Sequence, residues 1–450
     1  MRFRENHPNV IVFLTDQQRH DSTGIHGNPL ELTPNFDRMA QRGTHVANSF
    51  VAQPLCAPSR SVLQTGMYAT RTGVFRNGIT LRPDAKTLAH YFKEAGYKTG
   101  YIGKWHLADK DPVPRVQQGG YDEWLGANAL EFTSHPYDTV VYDNDGKEVF
   151  LPGYRVDALT DAAIRYVARH RNDPFFLFLS FLEPHHQNDL DDFPPPDGYR
   201  ERYAGRWVPP DLQGHAASPA QHLGGYWGMV KRLDESLGRL TDALKSMGLT
   251  DDTVILFTSD HACHFKTRNG EYKRSCHEDS IRVPTALTGG PFTGGGCVRQ
   301  LVSHVDLAPT LLSAAGIAVP DNMQGRVITP LLGGNKVEWP DDVFIQISES
   351  QVGRAVRTGR WKYGVDAPGK NPSRDMDSDR YVEQYLYDLE YDPYELTNLV
   401  GLRSHAELAT VLRQRLLRRM KEAGEPATTI DPAPPKAGGQ RRVPKEALNA

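Results

Sequence analysis

Short apolar runs alternate with longer amphipathic stretches along most of the chain. Val10 to Leu14, Thr99 to Ile102, Phe175 to Phe181 and Thr253 to Thr258 carry no charge and are rich in β-branched and aromatic residues, the pattern of strands buried on both faces. Between them, Thr87 to Ala95 closed by Gly96, Val156 to His170, and Tyr226 to Met247 closed by Gly248 read as helices. The alternation predicts an α/β fold, a large and mostly parallel sheet sandwiched by helices, over residues 1–332. After Leu332 the texture changes to Pro/Gly-rich connections. The alternating runs Val343 to Ile347, Ala355 to Val356 and Trp361 to Tyr363, with a helix over Ala406 to Ala423, predict a smaller α+β subdomain over 333–424 with an antiparallel sheet. Residues 425–450, rich in Pro, Gly, Lys and Arg, read as a mobile tail or arm.

Bulk properties narrow the partners more than the fold. The 450-residue length suits one large core and one smaller one. A formal net charge of −3, with no long basic run ahead of the tail, gives nucleic acid or an anionic membrane surface nothing to hold. Val10 to Leu14 is too short for a signal-peptide core or a membrane span, so the chain as written reads as cytoplasmic, or as exported had a leader been trimmed away. The four cysteines, at 56, 263, 276 and 297, match no disulfide framework and no paired-cysteine metal spacing. Free thiols are expected, with a Cys263–Cys276 bridge as the alternative.

In an open α/β sheet, ligands gather beyond the carboxyl ends of the strands, so an active site leaves polar residues directly after each apolar run. Here Asp16 and Gln17, Lys104 and His106, His185 and His186, and Asp260 and His261 follow the four runs in turn. A fifth stretch carries a candidate nucleophile: Cys56, Ala57, Pro58, Ser59, Arg60, continuing to Gly66. Pro58 is compatible with a first helical turn, and free N–H groups at a helix start favour an anion.

The Cys-x-Pro-x-Arg stretch resembles the signature of type I, formylglycine-dependent sulfatases of the alkaline phosphatase superfamily. The likeness extends through Gly103 to Leu107 and Pro184-His185, through Tyr272 to Pro284, and to a closing block from Leu386 to Leu399. The resemblance implies that a formylglycine-generating maturation enzyme oxidises Cys56, and that one hydroxyl of the hydrated aldehyde attacks sulfur. It implies one divalent cation held by Asp16, Gln17, residue 56, Asp260 and His261, with Ca²⁺ first and Mg²⁺ or Mn²⁺ as alternatives. It implies that Arg60, Lys104 and Lys273 supply positive charge around the sulfate, that His106 hydrogen-bonds the nucleophile, and that His185, or else its neighbour His186, is the general acid.

Gln17 and His261 depart from the Asp and Asn found in the best-known members. The same two residue types occur in relatives that cleave phosphonate monoesters and phosphodiesters, which makes such a hydrolase the first alternative. A non-catalytic binder of sulfated glycans is the second. For substrate contacts, the polar set His186, Gln187, Asn188, Asp189, His264, Lys266, Arg268, Asn269, Arg76, Asn77 and His135 suits a polyhydroxylated sulfated carbohydrate better than a quaternary ammonium ester, which calls for an aromatic cage.

Overall fold

The computed structural model describes residues 7–213, 219–333, 337–436 and 446. Strands β1 (Asn9–Thr15), β2 (Thr44–Phe50), β3 (Lys98–Lys104), β4 (Glu123–Ala127), β5 (Thr139–Tyr142), β6 (Glu148–Leu151), β7 (Phe175–Ser180), β8 (Thr253–Ser259), β9 (Ala286–Thr288) and β10 (Gly296–Ser303) form one sheet in the order β10-β2-β9-β8-β1-β7-β3-β4-β5-β6. Only β9 and β5 run against their neighbours' common direction, so the sheet is mostly parallel as expected. Alternation along β1 divides the core. Val10, Val12 and Leu14 pack with Leu88, Phe92, Leu307 and Leu311 on one face, while Ile11 and Phe13 pack with Phe36, Leu159 and Leu233 on the other.

Strand register carries the fold to its chemistry. Leu14 pairs with both Ser180 and Thr258, and Gly103 pairs with Ser180, so the central strands end level with one another. The residues that follow are therefore delivered to one place. Gly103 has to be glycine: its φ is 104°, and a Cβ there would lie 1.8 Å from the Ser180 carbonyl oxygen.

A second sheet, β11 (Asp342–Ile347), β12 (Gly353–Thr358), β13 (Trp361–Asp366), β14 (Arg380–Asp388) and β15 (Thr429–Asp431), lies in chain order and is antiparallel except for its last pair. The helix Ala406–Ala423 covers it with Leu408, Leu412, Leu416 and Met420. The expectation of a mobile tail from residue 425 is corrected here. Glu425 is buried against Arg354, and Ile430 enters the core of this sheet through β15. A buried ion pair and three backbone pairings hold what composition alone marked as solvated. Residues 437–445 and 447–450 of that stretch lie outside the described residues.

Candidate active site

Residue 56 opens a fully buried helix, Cys56–Thr65, which ends on Gly66 in the left-handed region. Its first turn has no cap from its own sequence. Asn77 supplies one from another loop, its Oδ1 accepting the Ala57 N–H at 3.0 Å. The Cys56 sulfur stands where an oxygen of the matured residue would be, and four groups face it: Lys273 Nζ at 2.9 Å, His261 Nε2 at 3.2 Å, and Asp16 Oδ1 and Lys104 Nζ at 3.9 Å each.

One ligand atom each from Asp16, Cys56, Asp260 and His261 lies within 4.8 Å of the others. His261 Nε2 is 3.4 Å from Asp16 Oδ1 and 3.6 Å from Asp260 Oδ1. Gln17 turns its Nε2 to Cys263 Sγ, leaving Oε1 buried with no hydrogen-bond partner. Two carboxylates, an imidazole and an orphaned amide oxygen, all fully buried, fit a divalent cation. The outer carboxylate oxygens are already taken: Arg60 bonds Asp16 Oδ2 and Asp260 Oδ2 at 3.0 Å each, and Lys104 Nζ reaches Asp16 Oδ2 at 2.8 Å.

This crowding sets the charges. Burial and Cys56 oppose ionisation of Asp16, yet the Lys104 and Lys273 ammonium groups hold it well below the usual carboxylate range. Burial and the neighbouring Asp16 push Asp260 up. Burial would raise the Cys56 thiol, but Lys104, Lys273, His261 and a hydrogen bond from His106 hold it far below its ordinary value. Burial and the Lys273 ammonium lower His185, which keeps that ring neutral. Its hydrogen bonds agree, since Nε2 faces Lys273 Nζ at 3.0 Å and Nδ1 faces the His186 carbonyl at 2.6 Å. A lysine ammonium only donates, so Nε2 accepts and Nδ1 carries the proton.

Several sequence expectations need correction. Arg60 does not face the anion position: its donors go to Asp16, Asp260, the Lys104 carbonyl and Ser180 Oγ, so it fixes the carboxylates instead. Gln187 is buried, bonding the Glu131 carbonyl and Arg155, because its loop needs those backbone groups satisfied. His264 is likewise buried, its Nε2 on the Lys273 carbonyl. Arg268 is committed to Asp279 and to the carbonyls of Tyr394 and Glu395, and it lines a separate cavity of about 320 Å³ that includes none of the residues around Cys56. Cys263 and Cys276 are both free thiols, which removes the bridge.

Other positions are less decided. His186 stacks on His185 and meets Tyr272 at a tilt, Arg76 is half-buried with its Nη1 on the Asn77 carbonyl, and Asn188 and His135 are exposed, His135 lying 3.8 Å from Asp189. Sequence reasoning missed Glu131, which meets Lys104 Nζ at 3.0 Å, and Ser180, and it read Asn77 as a substrate contact where Asn77 caps the helix of residue 56. Ser180 ends a strand and was the one legible clue; Glu131 arrives from the short helix Leu130–Thr133, which has no pattern to mark it.

Residues 8–317 match the family described as Sulfatase, and residues 270–422 match N-sulphoglucosamine sulphohydrolase, C-terminal. The chain is 29% identical to an ulvan-active sulfatase of Formosa agariphila over 93% of its own length and 82% of that protein. The solved structure of BT4656 in complex with its substrate D-glucosamine-2-N,6-O-disulfate superposes with a TM-score of 0.75 at 24% identity, covering 93% of this chain and 98% of that one. The phosphonate monoester hydrolase of Agrobacterium radiobacter shares the fold at a TM-score of 0.71 and 22% identity, covering 92% and 96%.

Proposed function

The chain belongs to the sulfatase family and is a sulfuric ester hydrolase, and from that premise we propose that it removes sulfate from a carbohydrate, with oxidised residue 56 as nucleophile. The observation that carries the assignment of roles is the placement of Lys273 at 2.9 Å and Lys104 at 3.9 Å from the Cys56 sulfur, beside the metal-fitting cluster. A sulfate ester bound over residue 56 meets two buried ammonium groups, and fixed charge is worth most where it is buried. The metal, when bound, lowers the charge on the sulfate oxygens and steadies the nucleophile. Asp16, Gln17, Asp260 and His261 would hold it. Two carboxylates and an amide oxygen put Ca²⁺ first, and the imidazole nitrogen keeps Mn²⁺, with Mg²⁺, as an alternative.

His106, in hydrogen-bond reach of residue 56, orients the nucleophile. His185 sits on the leaving-group side. A sulfate ester drawn onto Lys273 takes that ammonium away from His185 Nε2; the freed nitrogen takes up a proton from solvent, and the resulting imidazolium gives that proton to the departing sugar oxygen and returns to the neutral ring. Replacing His185 with Ala is therefore expected to cost a sugar sulfate about 10²–10⁴-fold in kcat and an activated aryl sulfate far less. Equal losses on both would remove His185 from the acid role.

A carbohydrate substrate is supported by the relatives named above and by the polar rim of Asn188, Asp189 and His135. The test begins with the chain co-expressed with a formylglycine-generating enzyme: a residue-56 peptide about 18 Da lighter than the cysteine form marks the aldehyde. That protein is then assayed on sulfated oligosaccharides. A second reading, hydrolysis of phosphonate monoesters or phosphodiesters, is favoured by Gln17 and His261. Matched aryl sulfate and aryl phosphonate esters separate the two, and a strong phosphonate preference would sink the first.

A further inference from the structure

The loop after β11 reaches from the C-terminal sheet into the site. Glu349 sits there with a φ of 63°, a left-handed backbone that a residue with a Cβ adopts at a cost. Its carboxylate is divided between two partners: Oε1 accepts the Asn77 N–H at 2.8 Å, and Oε2 pairs with Arg274 at 2.7 Å. Each partner is one step from the reacting position. Asn77 caps Ala57, the residue after Cys56, and Arg274 follows Lys273 in the chain. Arg274 is itself in the left-handed region, and its N–H donates to the carbonyl of Pro54, two residues before Cys56.

Flanking contacts run the same way. Gln53 donates to Ser348 Oγ, the Gln346 N–H donates to the Ala52 carbonyl, and Ser350 Oγ donates to the Arg274 carbonyl. Three separate segments, 52–57, 75–77 and 273–274, are thus tied to a single loop of the second sheet, and the charge at the junction of two of them is Glu349.

We propose that Glu349 is a positioning residue: from the C-terminal sheet it sets the distance between Lys273 and residue 56 by holding the Asn77 loop and Arg274 with one carboxylate. The inference rests on the hydrolase reading above. Lys273 Nζ and Cys56 Sγ are 2.9 Å apart, and the ammonium, which otherwise meets His185 Nε2 at 3.0 Å, has no carboxylate within 4 Å among the described residues, so the separation depends on how the backbone is held, by His264 and Asn269 at the Lys273 carbonyl and by Glu349 at Arg274. A displacement of about 1 Å in such a contact costs on the order of 10²-fold in rate.

The experiment compares matured wild type with Glu349→Ala and Glu349→Gln on 4-nitrophenyl sulfate and 4-nitrophenyl phenylphosphonate, together with hydrogen exchange of the peptides covering 54–60 and 271–276. Glu349→Ala is expected to lower kcat about 10–100-fold with KM changed less than threefold, and to speed exchange in those two peptides alone. Glu349→Gln keeps an acceptor for the Asn77 N–H and recovers part of the loss. Adding Asn77→Ala to Glu349→Ala is expected to cost little beyond the worse single change, as for residues acting in one chain. A kcat within twofold of wild type with unchanged exchange would overturn the proposal, and so would accelerated exchange throughout β11 to β14, which marks a merely structural residue. Inactive wild type on both esters would count against the hydrolase reading, and the exchange pattern would still decide on Glu349.

Discussion

Two of the buried ion clusters are built on opposite rules. At the joint between the two sheets, Glu278 meets Arg357 at 3.2 Å and Lys362 at 2.9 Å, Lys362 meets Glu395 at 2.7 Å, and Arg268 meets Asp279 at 3.3 Å. Every charge there has an opposite charge in contact. Around residue 56, Asp16, Asp260, Arg60, Lys104 and Glu131 are similarly interlocked, but Lys273 faces only a sulfur and an imidazole, and Gln17 Oε1 faces no donor. Burial of unmatched polar groups costs stability, so a cluster left open in this way is held for a ligand rather than for the fold.

The contrast is broken most directly by the same change at two lysines. Lys273→Met is expected to lower kcat/KM by about 10²–10³-fold, the usual scale for one lost electrostatic contact to the transition state, while leaving stability unchanged or slightly raised. Lys362→Met strands the buried Glu395 carboxylate and leaves Glu278 with Arg357 alone, and it is expected to lower stability by about 3–5 kcal/mol with little change in kcat per folded molecule. Denaturant melts and titrated active sites measure both quantities. A Lys273 variant that unfolds, or a Lys362 variant that is folded but dead, would show that the two clusters are not separable.

Chemistry was more legible than architecture in this chain because strand ends and turns leave strong local marks. The four apolar runs became β1, β3, β7 and β8, and the residues after them converge as their level register requires. Strands β2 and β10, at one end of the sheet, escaped notice: Thr44–Phe50 and Gly296–Ser303 hold His45, Asn48, Arg299 and Gln300, which interrupt the apolar signal a central strand displays. Arg60 was misread for a different reason. Sequence shows that a cation is present, and only tertiary structure shows that two carboxylates have already taken it. The buried His264, Gln187 and Arg268 carry the same lesson, since a polar side chain in a loop serves the loop's own backbone as readily as a substrate.

Metal removal sharpens the comparison at an intermediate scale. Chelation is expected to abolish activity and to lower stability by about 2.7 kcal/mol relative to protein held at a hundred times the metal dissociation constant. The loss belongs to one cluster only. His261→Ala should melt at the same temperature with and without chelator, whereas Lys362→Met should keep the wild-type difference. A chelator effect that survives in His261→Ala would move the metal away from the Asp16 and Asp260 carboxylates.

The smallest expected effect separates the closed part of the active-site cluster from its open part. Glu131 is buried, and burial opposes its ionisation, but Lys104 holds its carboxyl down to about 2 from an ordinary value near 4.5. A carboxyl depressed in the folded state binds fewer protons there than in the unfolded chain, so its contribution is complete above about pH 4.5 and is lost as pH falls toward 2. Between pH 7 and pH 4 that loss amounts to just under about 1 kcal/mol. Glu131→Gln, which cannot titrate, should flatten the acid side of the stability profile by that amount while sitting lower at neutral pH, because Lys104 then has one carboxylate instead of two. If the variant kept the full acid slope, Glu131 would not be the group that Lys104 holds ionised, and the ammonium would have to be counted, with Lys273, among the charges kept for substrate.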